Sequence, residues 1–208
     1  MVKAAAATTA VARRVRPDQL SASTPCRDWD VRALANHLTI WSAFASELIA
    51  RKEPMPADGS LGAGRDFTGE GWAGRYADQV DRAVTAWSRP AAWEGMTEMG
   101  GAPLPAQLAG GLMLAELLIH GWDLAVATGQ ELRCDDDVAV AVDRIVAETA
   151  AQGREYRLFD PEVAVPDSAP PLAHALALSG RDPHWSPSTN GQPAASGSPS
   201  RSVGILRD

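Results

Sequence analysis

The sequence predicts an all-α protein, a four-helix bundle with a short additional C-terminal helix and a Pro-rich segment. Three observations carry this. Apolar residues recur at three- and four-residue steps in several long segments. Runs of strand-type alternation are sparse. The helical segments are separated by short or medium stretches rich in Gly and Pro, as in bundles of neighbouring helices.

The first helix is expected over residues 3–16, which are Ala-rich and stop at Pro17. Asp30 can cap the second. Val31, Leu34, Leu38, Trp41, Ala45 and Leu48 then mark one face, and Pro54 and Pro56 end the helix. His37 falls three residues after Leu34 and four before Trp41, on or beside that face. Residues 57–66 carry Gly59, Gly62 and Gly64 and read as a loop. A third helix covers about 69–88, with Trp72, Tyr76, Val80, Ala83 and Trp87 facing inward. Residues 91–104 read as irregular, with a short hairpin around Gly100–Gly101. The fourth helix is placed from Pro103–Pro105, since Pro suits a first turn, to Thr128 before Gly129. A fifth spans 135–152, where Asp135, Asp136 and Asp137 complement the positive end of the helix dipole. A short helix over 171–179 lies within the Pro-rich stretch 153–185. Ser, Pro and Gly then dominate, so 1–185 is taken as the bundle and 186–208 as a disordered tail.

With 208 residues, 45% of them hydrophobic, the chain can bury a sizeable core. A net charge of −7 argues against a nucleic-acid surface. Two cysteines, Cys26 and Cys134, form no CxxC pair and make no disulfide framework, so a reducing cytoplasm is expected. The Ala-rich start runs into Arg13, Arg14 and Arg16 and does not read as a signal peptide. No uninterrupted apolar run suggests a membrane span, and no membrane partner is expected.

Glu116 and His120 are the conspicuous residues. They stand i, i+4 in an otherwise apolar run, so they share one helix face. Charged groups are rarely buried unless paired or bound to a metal. His37, on another apolar helix, supplies a third ligand type, and bundles build metal sites from facing helices. The bland alternatives are an exposed i, i+4 pair and a core histidine. A Glu-His-His set would leave an open coordination position, unlike a closed structural zinc site. The ligands suit a divalent metal, zinc first, with nickel, iron or manganese as alternatives.

Asp123 is placed either to orient His120 by a hydrogen bond or to pair with an Arg at the helix end. Trp29 and Trp122 are assigned to core packing, and Cys26 to a buried turn position. Cys134 should have its thiol pKa raised by the aspartates that follow it. His174 and His184 read as surface residues. Arg65, Arg75, Arg82 and Arg181 are candidates to hold an anionic substrate.

The segment Thr24-Pro-Cys-Arg-Asp-Trp-Asp-Val-Arg-Ala-Leu-Ala-Asn-His-Leu resembles the second-helix motif of the DinB-like superfamily, in its actinobacterial branch of mycothiol-dependent maleylpyruvate isomerase N-terminal-domain type. Glu116-Leu-Leu-Ile-His-Gly-Trp-Asp-Leu-Ala-Val-Ala-Thr-Gly resembles the second signature of that branch, and Ala175–Trp185 resembles the C-terminal end of its stand-alone metal-binding members. The resemblance implies a DinB-like bundle over about residues 5–185, with His37, Glu116 and His120 as metal ligands. It also implies a divalent metal, often zinc, and a low-molecular-weight thiol, mycothiol, as co-substrate. The partners implied are a small-molecule thiol or electrophile, with a homodimer as a candidate assembly. Two readings stay open: a metal- and thiol-dependent transferase or isomerase, and a non-catalytic metal-binding or stress-response module.

Overall fold

The computed structural model describes residues 1–56, 62 and 64–187; the tail expected from 186 and most of the 57–66 loop therefore lie outside the described residues. The elements in order are α1 (Val2–Ala12), α2 (Val31–Leu38), a π-helical stretch (Thr39–Ala45), α3 (Ser46–Arg51), α4 (Trp72–Trp87), strands β1 (Met96–Met99) and β2 (Ala102–Pro105), α5 (Ala106–Ala127), α6 (Asp136–Glu155) and α7 (Pro171–Leu178). The all-α expectation holds; β1 and β2 form only an antiparallel hairpin, pairing Met96 with Pro105 and Met99 with Ala102.

Four helical rods make the bundle: α1, the continuous run α2–π–α3, α4 and α5. α5 packs against α1, α2, α3 and α6, and α7 packs on α6. α6 and α7 are the C-terminal additions to the bundle, at the positions expected for the fifth helix and the short helix. By length and hydropathy α5 could cross a membrane, yet 72% of its most apolar window is buried inside the protein. It is apolar nearly all round because other helices cover it nearly all round.

Local signals explain several boundaries. Asp30 caps α2 as expected, its carboxylate accepting the Ala33 N–H at 2.8 Å. α1 stops at Ala12, before the predicted end at residue 16, and Pro17 opens a separate 3₁₀ turn. Pro103 and Pro105 lie in β2, not in the first turn of α5; Pro105 caps it and Ala106 begins it.

The second rod departs from uniform periodicity. Within Thr39–Ala45 the backbone widens, and the Ser46 N–H reaches the Trp41 carbonyl five residues back. The hydroxyls of Thr39 and Ser42 bond the carbonyls of Ala35 and Leu38 and compete with the backbone ladder there. The wide turn shifts the buried face. Ser42, Ala43, Ala45, Ser46 and Ile49 go inward, while Trp41 and Leu48, expected on the stripe, are only half-buried.

Close approach of α1 to α5 depends on Gly121. An added Cβ there would lie 2.4 Å from Thr8 Oγ1, and that hydroxyl donates to the Leu117 carbonyl at 2.8 Å. Gly121→Ala should therefore destabilise the fold by about 1–3 kcal/mol through overpacking. Urea denaturation would measure this; an unchanged midpoint would show that α1 can shift aside without cost.

Candidate metal centre

His37 stands one residue before the end of α2, and Glu116 and His120 stand one turn apart on the face of α5 that α2 meets. His37 Nε2 is 2.7 Å from Glu116 Oε1, and His120 Nε2 is 3.6 Å from Glu116 Oε2. The two imidazoles are nearly perpendicular, with centroids 4.7 Å apart. One donor atom from each of the three residues lies within 4.8 Å of the others. Their side chains are 21%, 18% and 12% exposed, so the cluster is mostly buried with partial contact with solvent.

The donor set fits a divalent metal. Tetrahedral ligand distances of about 2.0–2.1 Å put neighbouring donors roughly 3.3 Å apart, close to the spacing here. The 2.7 Å His37–Glu116 contact is a hydrogen bond, so a metal would take the place of its proton. Burial alone would push the Glu116 carboxyl up, but the charges of His120 and His37 outweigh it and hold the group at about 2. Burial likewise opposes charge on His120, yet Glu116 and the hydrogen bond to Asp123 push it up to about 10. For His37 burial prevails and lowers the pKa, despite Glu116.

The far side of His120 is equally ordered. Its Nδ1 lies 2.8 Å from Asp123 Oδ2. Asp123 is fully buried, and the nearby Arg181 and His120 charges hold its carboxyl far below the ordinary range against the effect of burial. An ionised carboxylate only accepts, so Nδ1 carries the proton and donates. A neutral His120 then presents the Nε2 lone pair to Glu116 and His37. This carboxylate–histidine relay is the usual way a metal-ligating imidazole is oriented. Of the two roles expected for Asp123, it fills both: it orients His120 and pairs with an Arg.

That Arg is Arg181. Its Nε lies 3.1 and 3.2 Å from the two Asp123 oxygens, and a terminal nitrogen lies 3.0 Å from Oδ2. Of the four arginines proposed as anion holders, Arg181 alone is at the cluster, and its guanidinium is occupied by Asp123. Arg75 bonds the carbonyls of Phe67, Gly69 and Glu70; Arg82 contacts Gln79 and Glu47; Arg65 is exposed.

Cys26 occupies the expected turn, wound around the Thr24 hydroxyl, which bonds the Cys26 and Trp29 carbonyls. It is half-buried rather than an inert core residue. Its Sγ lies 3.2 Å from Asp123 Oδ2, 3.4 Å from Arg181 and 3.8 Å from His120 Nδ1. Trp29, expected as packing, sits beside the cluster, 4.4 Å from the His37 ring and 5.7 Å from His120. Nothing local in sequence could reveal these contacts, since Cys26 and Arg181 are 155 positions apart. Trp122 is buried as expected. His174 contacts Asp143 at 2.6 Å, and His184 is exposed. Burial, then Asp135 and Asp137, raise the Cys134 thiol.

Bundle and cluster together define an all-α protein with a candidate metal centre between facing helices. Residues 2–125 match the model of the mycothiol maleylpyruvate isomerase N-terminal domain, and the chain belongs to that family. Two uncharacterized proteins of Mycobacterium tuberculosis, from strains CDC 1551 / Oshkosh and ATCC 25618 / H37Rv, are each 29% identical over 185 residues, covering 83% of this chain and 90% of the relative. No solved structure matches the chain. The family match includes His37, Glu116, His120 and Asp123, and ends before Arg181.

Proposed function

We propose that the chain binds a divalent metal, zinc by ligand type, through His37, Glu116 and His120, and uses it in a thiol-dependent transfer or isomerisation. The observation that carries this reading is the convergence of three partly exposed donors from two helices. Three protein ligands leave room for an exogenous group. A bound metal would supply Lewis acidity, favouring the thiolate of a bound thiol or polarising a carbonyl. The chain's own residues do the rest. Asp123 fixes the His120 tautomer, Glu116 supplies the negative charge, and Trp29 flanks His37 and His120. The family match supports a mycothiol-type thiol, and a reducing cytoplasm is the compartment that suits such a thiol. Nickel, iron or manganese could occupy the same donors.

The metal-free protonation states give a test with a definite sign. At neutral pH His120 lies below its raised pKa and carries a proton, whereas Glu116 lies above its own and carries none. Ligation requires His120 to lose its Nε2 proton. Metal affinity should therefore rise with pH, by about tenfold per unit while one proton is displaced, up to the His120 value. Calorimetry in two buffers of different ionisation enthalpy would count that proton. Affinity that is flat between pH 6 and 8 would contradict a charged His120. A mycothiol-like thiol, titrated into metal-loaded protein, should release a further proton. Absence of binding at millimolar thiol would remove the transferase or isomerase reading.

One observation favours the second reading, a metal-binding module without turnover. Asp123, the carboxylate behind His120, is saturated by Arg181, His120 and Cys26. It is thus occupied as an orienting group and not free as a general base.

A further inference from the structure

We propose that Arg181, in the C-terminal segment beyond the family domain, is a positioning residue for the metal centre. It holds Asp123 in the orientation that turns His120 Nε2 toward His37 and Glu116. This rests on the metal reading above for its functional meaning, but its structural content can be tested separately.

Asp123 is costly to bury. Its carboxylate has no exposure and sits in a long helix whose other buried residues are almost all apolar, so an ionised form there needs a cation. His120 is one partner. Serving as a metal ligand, His120 would be neutral and could no longer supply charge. Arg181 then remains as the permanent counter-cation, since a guanidinium does not deprotonate in proteins. It grips both carboxylate oxygens, which fixes the rotation of the carboxylate as well as its charge. Oδ2 is thereby aimed at His120 Nδ1.

The chain prepares Arg181 for this. α7 ends at Leu178, and Gly180 takes φ +86°, a left-handed conformation that an L side chain rarely adopts. The turn brings the Arg181 N–H back to the Leu176 carbonyl. It also sends the side chain, only 11% exposed, across to α5. The Ser179 carbonyl and hydroxyl, each 3.3 Å from a terminal nitrogen, complete its contacts with that turn. A residue remote in sequence from the ligands thus sets the orientation of one of them.

The test uses the full chain and zinc alone, with affinity measured by competition against a chromophoric chelator. Arg181→Gln should weaken zinc binding by roughly 10–100-fold, the range for lost outer partners of metal ligands. Arg181→Lys, which keeps the charge without the planar fork, should recover only part of that loss. Because Arg181 acts through Asp123, adding Arg181→Gln to Asp123→Asn should weaken zinc little beyond Asp123→Asn alone. Independent, multiplying losses would overturn the proposal, as would unchanged affinity in Arg181→Gln. Should Arg181→Gln fail to fold, Arg181→Lys decides: wild-type affinity in that variant would overturn the proposal. A second readout does not need the metal. NMR of the metal-free protein should show a downfield, slowly exchanging His120 Nδ1–H in the wild type and lose it in Arg181→Gln or, where that variant does not fold, see it weakened in Arg181→Lys. Persistence of that signal unchanged overturns the positioning role even if the wild type binds zinc. A wild type that shows the signal but binds no zinc would instead sink the metal reading and leave the Arg181–Asp123–His120 relay standing.

Discussion

Each of the variants His37→Ala, Glu116→Ala and His120→Ala is expected to lose the metal, with affinity falling by more than about 100-fold, beyond the range for outer-shell partners. The three donors come from two helices, and no two of them make a three-ligand site. Removing His37 leaves the i, i+4 pair on α5 with one side unheld. Removing Glu116 deletes the only carboxylate between the two imidazoles and leaves His37 without its 2.7 Å partner. Removing His120 also leaves Asp123 without its 2.8 Å donor, so that variant should lose stability as well as metal. Elemental analysis after gel filtration, with melting curves beside it, separates the two effects. Wild-type stoichiometry in His37→Ala would take His37 out of the site and leave a metal, if any, to α5 and its neighbours.

The largest effect on stability is expected from Asp123→Ala. Asp123 is fully buried and Arg181 nearly so, and deleting one partner of a buried ion pair strands the other charge at a cost of about 3–5 kcal/mol. The His120 and Cys26 contacts to the same oxygen disappear with it. For a protein of this size that corresponds to a fall in Tm of roughly 6–20 °C. The Arg16–Asp18 pair is a suitable control, because both side chains are mostly in water. Asp18→Ala should leave Tm essentially unmoved, since exposed pairs contribute little. A small effect of Asp123→Ala, equal to the control, would mean that Arg181 swings into solvent freely and that the C-terminal segment is only loosely tied to the bundle.

Much of this architecture is written locally. The Asp30 cap, the inward stripe Trp72–Tyr76–Val80–Ala83–Trp87 and the helices near 136–155 and 171–178 follow from spacing and capping chemistry within a few residues. The candidate ligands were visible for the same reason. Glu116 and His120 stand out because their neighbours are apolar and their separation is one helical turn. Where local rules compete, the structure departs from the sequence pattern. Pro105 ends a strand and caps α5 instead of entering it, because the hairpin uses residues 96–105 first. Trp41 and Leu48 left the core stripe because the π-turn shifts the register after Leu38.

The helical class, most helix positions and the three residues with ligand chemistry in apolar surroundings are legible in local sequence patterns. Which helices face one another, how the second rod rotates at its wide turn, and what lies behind His120 emerge from the packed fold alone. The reason is the range of the interactions. Caps and periodicity act over one or two turns of backbone. The pairing of Arg181 with Asp123, 58 positions apart, and the approach of Cys26 to both depend on how the turn after α7, held on α6, and the Thr24–Trp29 turn reach α5, and no local pattern encodes that arrangement.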